Sequence, residues 1–197
     1  KKPDFLLNMK VFGAPLLRRG TVADPIIPDK LFLGSAPAAR SVTEGNPEGY
    51  THVLNVSENM VLMPGMTKEA VVQMIPIRDE GTDDVFGGSL EEWHGAKAKM
   101  AKRRVGAWWA CCKFLEEAFA EPNSVVLVHC AYGVNRSAMI VVAWLMYTRG
   151  WTANRALSFV KKCRPAVSPV PSHLKQLRHF EDILELRCSK CKSCTIS

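Results

Sequence analysis

A polar segment near the middle of the chain joins two apolar runs. Residues 125–128 (VVLV) are β-branched or leucine, which predicts a short buried strand. Residues 137–147 are rich in Ala, Met, Leu and Trp, which favours a buried helix. The joining segment HCAYGVNRS, residues 129–137, is therefore predicted to be a strand-to-helix turn. Such a turn directs backbone N–H groups and the positive end of a helix dipole toward one point.

Cys130 and Arg136 frame this turn, and their spacing predicts a cysteine nucleophile. Helix-terminal N–H groups together with Arg136 should lower the pKa of Cys130 and give a thiolate near neutral pH. Gly133 can take unusual dihedrals, so the loop can curl its N–H groups around an anion, while the Arg136 guanidinium binds two oxygens of a tetrahedral oxyanion. A thiolate beneath a phosphate-sized set of donors indicates phosphoryl transfer to cysteine. The predicted phosphate-binding residues are Ala131, Tyr132, Gly133, Val134, Asn135 and Arg136.

His129 and Ser137 flank the turn and are predicted to support the nucleophile. Alone, Cys130 would be a core cysteine and Arg136 a surface residue, but their joint occurrence at this spacing favours catalysis. We expect His129 to be a buried imidazole that holds the loop by hydrogen bonds and tunes the thiolate, without giving a proton to substrate. Ser137 can cap the helix or stabilise the thiolate that leaves a phosphoenzyme, and the two roles are compatible.

A proton donor for the leaving oxygen is expected on the loop after the third predicted strand. This loop carries three candidates, Asp79, Asp83 and Asp84. Three aspartates in a glycine-rich loop can also simply form turns. Spacing alone does not choose among them.

The remaining pattern predicts the elements that position these residues. Strands are predicted at 30–35, 51–57, 70–79 and 125–128. Helices are predicted at 105–119, 137–147, 152–163 and 171–186, with a short helix and turn at 37–49. Alternating strands and helices indicate an α/β fold, with a central mostly parallel, mixed sheet flanked by helices. We expect residues 1–24 to form a loosely packed arm, 25–187 the domain, and 188–197 a basic tail rich in cysteine.

Composition and charge limit the class of protein. With 197 residues, 47% hydrophobic and 23% charged, the chain can bury a core, and general disorder is excluded. The net charge of +7 is concentrated near the two ends and in an insertion at about 91–104. That insertion could bind an anionic membrane surface or a polyanion, or be a solvated helical face. Its basic residues are Lys97, Lys99, Lys102, Arg103 and Arg104.

Cysteine use and the chain ends predict location. Seven cysteines and no secretory signal pattern indicate reduced thiols and a cytoplasmic or nuclear protein that is not secreted. Cys188, Cys191 and Cys194 lack a nearby fourth ligand for zinc. The final residues CTIS resemble a prenylation box at Cys194. Palmitoylation of Cys188 and Cys191, with neighbouring basic residues, would supply a second membrane signal.

With these residues in place, the sequence resembles the dual-specificity phosphatases of the cysteine-dependent protein tyrosine phosphatase superfamily. HCAYGVNRS is similar to the signature of that family, and LFLGSAPAA, HVLNVS and RPAVSPVPSHLKQLRHFE resemble its first strand, second strand and closing segment. The resemblance implies the family's fold, activity on phosphotyrosine and phosphoserine/threonine, and no metal or cofactor. It also implies a general acid at Asp79, in IPIRDE, and membership of the small atypical group. Asn135 stands where the family more often has Ser or Gly. Val170 stands where the family often has Asn.

Three other functions stay open from the sequence. Asn135 is similar to the residue of messenger-RNA capping triphosphatases, which with the basic insertion favours an RNA 5′-phosphatase or triphosphatase. Pocket depth would decide whether the substrate is a phosphoinositide. A non-catalytic phosphate-binding module is less favoured, because Cys130, Arg136, Ser137 and Asp79 are all present. The physiological substrate and the oligomeric state are not predicted.

Overall fold

The computed structural model describes residues 23–58, 61–88 and 106–192, with side chains to residue 184. Most of the predicted N-terminal arm, the basic insertion at 91–104 and the side chains of the tail cysteines lie outside the described residues. The predictions made for them therefore stay predictions. Within the described ranges, none of the helices has both the length and the apolarity that crossing a membrane requires.

A five-stranded sheet forms the centre of the molecule, in the order β1-β2-β5-β3-β4. The strands are β1 Ala23–Ile27, β2 Leu31–Gly34, β3 His52–Asn55, β4 Val71–Met74 and β5 Val126–His129. Among the strands that the structure describes, the β1–β2 pair alone is antiparallel and the other three pairs are parallel. The predicted α/β fold with a mostly parallel, mixed sheet is confirmed.

One predicted strand is shorter in the structure, and one strand of the sheet was not predicted. The strand predicted at 70–79 ends at Met74, and residues 75–78 lead to the acidic loop without regular structure. β1 was not predicted, and its first two residues fall within the predicted arm. Its Pro25 lacks an N–H donor, which argues against a central strand but is tolerated on an edge strand. β1 lies at the edge of the sheet, and its register shifts next to Pro25.

Five helices in the described part of the chain cover the sheet. They are α1 Ala36–Arg40, α2 Ala107–Ala120, α3 Arg136–Arg149, α4 Ala153–Cys163 and α5 Pro171–Lys192. A 3-10 turn at Ser41–Thr43 continues α1. The helix predicted at 105–119 carries apolar residues at intervals of three and four. Trp108, Cys112, Leu115 and Phe119 of this face are buried and Trp109 is half-buried, while residue 105 lies outside the described residues. α3 is followed by Gly150, which adopts the left-handed conformation that favours glycine just after a helix.

The core places the predicted turn at the centre of the fold. β5 lies between β2 and β3, all four of its residues are buried, and α3 is buried along most of its length. The larger apolar cluster joins α2, α3, α4 and α5 to one face of the sheet, and a smaller one joins α1 to the other. The carboxyl end of β5 therefore meets the start of α3 where parallel α/β sheets commonly bind ligands.

Candidate active site

The β5–α3 turn is tightly curled, and Gly133 makes the curl possible. Gly133 has a φ of +70°, in the left-handed region. A Cβ atom at this position would lie 2.4 Å from the backbone oxygen of Gly34, so no larger residue fits without displacing β2. The backbone of Ala36 also donates a hydrogen bond to the oxygen of Ala131 (3.0 Å). The start of α1 and the end of β2 therefore hold the turn from one side.

The Cys130 thiol is buried at the base of this turn, with 2% of the residue exposed. The Ser137 hydroxyl donates to its Sγ atom at 3.2 Å, and the backbone N–H of Gly133 donates to it at 3.2 Å. Burial alone would raise the pKa of Cys130. Hydrogen bonds from the Ser137 hydroxyl and from the N–H groups of Ser137, Gly133 and Tyr132 together lower this pKa by more than burial raises it. The net result is a pKa below the ordinary value of a cysteine, so the thiolate is favoured.

His129 is completely buried and directly precedes Cys130. Its Nδ1 atom lies 3.3 Å from the carbonyl oxygen of Cys130. Because a carbonyl only accepts, Nδ1 carries the proton. Burial lowers the pKa of His129 to about 4, against a smaller opposing effect of the Cys130 carbonyl. The imidazole is therefore neutral at pH 7.

Arg136 and Asp79 lie together at the mouth of the turn. The Nε atom of Arg136 is 2.7 Å from Oδ1 of Asp79, and Nη1 of Arg136 donates to the oxygen of Ile77 at 3.4 Å. Arg136 is almost fully buried, whereas the Asp79 side chain is half-exposed. The structure thus brings two of the predicted catalytic residues into direct contact, although they are far apart in the chain.

The other two aspartates of the acidic loop have different surroundings. Asp83 is 1% exposed and accepts a hydrogen bond from the backbone N–H of Arg78 at 2.8 Å, which holds the loop closed on itself. The Asp84 carboxylate packs against Gly87, where a Cβ atom would approach it within 2.4 Å. The contacts that join this loop to the residue pair at 135–136 are made by Asp79.

Two contributors to the site were not found by sequence reasoning. Arg164 follows α4, and its guanidinium donates to the carbonyl oxygens of Gly133 (2.9 Å) and Tyr132 (3.2 Å) and pairs with Asp24. It therefore holds loop carbonyls from behind. His173 is buried and hydrogen-bonded to Asn135. No local pattern marks either residue, since each acts on a segment about 30 to 40 positions away.

The predicted phosphate-binding residues differ in exposure along the loop. Tyr132 is the most exposed, at 74%, and stands at the rim. Ala131 and Val134 are half-buried, and the backbone oxygen of Val134 accepts a hydrogen bond from Ser168. Asn135 is buried, with its side chain directed to Asp79 and His173.

Comparison with known proteins gives one consistent family. The model of the family described as "Dual specificity phosphatase, catalytic domain" matches residues 31–183. Protein phosphatase Slingshot homolog 3 of Rattus norvegicus is 43% identical over 183 residues, covering 92% of this chain and 24% of that protein. Dual specificity protein phosphatase Mpk3 of Drosophila melanogaster is 34% identical over 176 residues, covering 86% of this chain and 36% of that protein. The chain thus spans about a third or less of these relatives.

The solved structures agree with the family. The crystal structure of a mouse putative dual specificity phosphatase, complexed with zinc tungstate, superposes with a TM-score of 0.63 at 25% identity. The match covers 89% of this chain and 96% of that one. The family model spans well over half of the chain and includes β2, β5, the Cys130 turn and α3. The chain therefore belongs to the dual specificity phosphatase family of the protein tyrosine phosphatase superfamily.

Proposed function

We propose that this protein hydrolyses phosphotyrosine and phosphoserine/threonine on proteins through a cysteinyl-phosphate intermediate. The observation that carries the proposal is the pair of donors on Cys130, the Ser137 hydroxyl and the Gly133 N–H, each 3.2 Å from Sγ. A thiol held in this way at the start of a helix has thiolate character and is a nucleophile. The relatives are named as protein phosphatases, which supports a phosphoprotein as substrate.

In the first step the Cys130 thiolate attacks phosphorus. The Sγ–P bond forms while the bond from phosphorus to the leaving oxygen breaks. Backbone N–H groups of residues 131–135 and the Arg136 guanidinium bind the three phosphoryl oxygens and stabilise their charge. Asp79, in its acid form, gives its proton to the leaving tyrosine, serine or threonine oxygen. In this step Arg136 exchanges part of its contact with Asp79 for phosphoryl oxygens.

In the second step water attacks the phosphocysteine. Asp79, now a carboxylate, accepts a proton from the water, the new P–O bond forms, and the Sγ–P bond breaks. The departing thiolate is stabilised by the hydroxyl of Ser137 and the N–H of Gly133, the donors that already lie on Sγ. Inorganic phosphate leaves, and Cys130 and Asp79 are restored. His129, neutral and buried, holds the Cys130 carbonyl and transfers no proton.

An RNA 5′-phosphatase or triphosphatase is the second candidate, and Asn135 is the feature that suggests it. In the structure the Asn135 amide is engaged by Asp79, Val170 and His173. This side chain is therefore occupied within the protein instead of being directed to a substrate. A half-exposed carboxyl group at Asp79 also fits an ester with a poor leaving group, which needs a proton donor more than a triphosphate does.

The predictions on partners and location are retained as part of this proposal. The basic insertion and the cysteine-rich tail are expected to bring the protein to an anionic membrane surface or a polyanionic substrate. The protein is expected in the cytoplasm or nucleus, with lipidation at Cys194, Cys188 and Cys191. These predictions rest on the sequence.

A panel of substrates tests the function. Released phosphate is measured for a phosphotyrosine peptide, a phosphothreonine peptide, an RNA with a 5′-triphosphate and a phosphoinositide, with Cys130→Ser as the control. We expect turnover of the two peptides and none by the Cys130→Ser variant. Faster turnover of the RNA or the lipid would replace the proposed substrate class. Release of phosphate from none of the four substrates by the wild type would indicate a non-catalytic module.

A further inference from the structure

The side chain of Asn135 joins three segments of the fold. Its Nδ2 atom donates to both the backbone oxygen and the Oδ1 atom of Asp79, each at 2.9 Å. Its Oδ1 atom accepts from the backbone N–H of Val170 at 3.0 Å and lies 2.8 Å from Nδ1 of His173. A primary amide has two N–H donors and two lone pairs. Asn135 uses all four in a site where it is 6% exposed.

The direction of each bond in this network is fixed by its partners. The backbone N–H of Val170 can only donate, so the atom facing it is the amide oxygen, and Nδ2 of Asn135 must face Asp79. Nδ1 of His173 must then donate to the same oxygen and carries the proton. Burial lowers the pKa of His173 below its usual value, so the ring is neutral at pH 7. The Nδ1 proton of His173 and the N–H of Val170 therefore hold the Asn135 amide in this orientation together.

The position of the Asp79 carboxylate depends on its contacts with Asn135 and Arg136. Its carboxylate contacts are with Nδ2 of Asn135 and with Nε of Arg136, both at Oδ1. In the proposed reaction Arg136 turns to the phosphoryl group, and this weakens one of the two contacts. The amide of Asn135 has no such second duty. It keeps Oδ1 in place and leaves Oδ2 to carry the proton toward the leaving oxygen.

We propose that Asn135, oriented by His173, is the positioning residue that holds Asp79 over the scissile bond during general acid catalysis. The inference rests on the proposed function, in which Asp79 is the proton donor. It assigns to Asn135 a side-chain role separate from the backbone N–H that it contributes to the phosphate-binding loop. It assigns to His173, which touches no substrate, a role through Asn135.

The dependence of kcat on the leaving group tests this role. We measure kcat on a series of aryl phosphates whose phenol leaving groups differ widely in pKa. The proteins compared are the wild type, Asn135→Ser, His173→Phe and Asp79→Asn. Loss of general acid assistance costs about 10²–10⁴-fold for a poor leaving group and much less for a good one. We expect Asn135→Ser and His173→Phe to lose about tenfold more kcat on the poorest leaving group than on the best. Asp79→Asn should show the steepest dependence, and adding Asn135→Ser to it should not steepen it further.

Two controls separate positioning from folding. Thr148→Val removes a buried hydrogen bond from the Thr148 hydroxyl to Trp144 in α3, far from the loop, and should not change the leaving-group dependence. His173→Asn places an amide N–H close to the position of Nδ1, so it should restore the wild-type dependence that His173→Phe loses. If Asn135→Ser fails to fold, the His173→Phe and His173→Asn pair carries the test.

The outcomes distinguish this inference from the function on which it rests. A uniform loss of kcat across the series in Asn135→Ser and His173→Phe, with a steep dependence in Asp79→Asn, overturns the positioning role and leaves Asp79 as the acid. A flat dependence in Asp79→Asn itself overturns the assignment of the acid. Equal behaviour of His173→Phe and His173→Asn overturns the role of the Nδ1 proton.

Discussion

Acid sensitivity at His129 is a direct consequence of its burial. The pKa of His129 is lowered from 6.5 to about 4 in the folded protein, mainly by burial. Between these values the unfolded chain binds more protons at this residue than the folded protein does, so stability decreases as the pH falls. The pKa difference limits the effect to about 3 kcal/mol below pH 4, and about 2 kcal/mol of it is lost between pH 7 and pH 5.

Urea unfolding at pH 7 and pH 5 measures this effect, with His129→Asn as the perturbed protein. The variant cannot titrate at this position, while its amide N–H can still donate to the Cys130 carbonyl. We expect the free energy of unfolding of the wild type to fall between pH 7 and pH 5 by about 2 kcal/mol more than that of the variant. His179→Asn, which changes an exposed histidine of α5, should keep the wild-type dependence. Identical pH dependence in wild type and His129→Asn would refute a buried neutral imidazole.

Three further predictions concern the same turn. Ser137→Ala removes a hydrogen bond worth about 1.5–3 kcal/mol to the thiolate, so alkylation of Cys130 by iodoacetamide should require a higher pH; an unchanged pH profile would contradict this. Gly133→Ala adds a clash with the Gly34 backbone to the strain of a positive φ, whereas Gly49→Ala has a similar φ and no atom near its Cβ. The midpoint of thermal unfolding of Gly133→Ala should therefore fall well below that of Gly49→Ala, and equal midpoints would refute the close approach to β2. Peroxide should oxidise Cys130 before Cys111, because burial raises the pKa of Cys111, and mass spectrometry of peptides will show the order; prior oxidation of Cys111 would contradict it.

The central part of the site could be predicted because it is local in sequence. Cys130, Gly133, Arg136 and Ser137 lie on one strand-to-helix turn, so their spacing alone brings a thiol, a curled loop and a guanidinium together. The apolar runs on both sides identified β5 and α3 for the same reason. The hydrophobic period of three and four likewise identified the buried face of α2.

The parts that could not be predicted depend on contacts between distant segments. Spacing did not distinguish Asp79, Asp83 and Asp84 as candidates for the proton donor. The resemblance to the family favoured Asp79. In the structure the Asp83 carboxylate accepts from the Arg78 backbone, whereas the Asp79 carboxylate contacts Asn135 in the β5–α3 turn. Arg164 pairs with Asp24, which lies in β1. This strand was not predicted from the sequence, because its Pro25 argues against a strand.

Asn135 shows how a departure from the family pattern can be structural. Its amide stands where Ser or Gly is commoner, and Val170 stands where Asn is frequent. Here the backbone N–H of Val170 donates to the Asn135 side chain. The two departures therefore meet in one hydrogen bond, which neither position alone would suggest.

Capture of the phosphorylated enzyme tests the central claim most directly. The wild type is mixed with a phosphotyrosine peptide, quenched in acid within the first turnover and digested, and the peptide containing Cys130 is analysed by mass spectrometry. We predict one phosphoryl group on Cys130, formed in a burst that equals the enzyme concentration and absent from Cys130→Ser. Phosphate on another residue, or continued turnover by Cys130→Ser, would contradict the account.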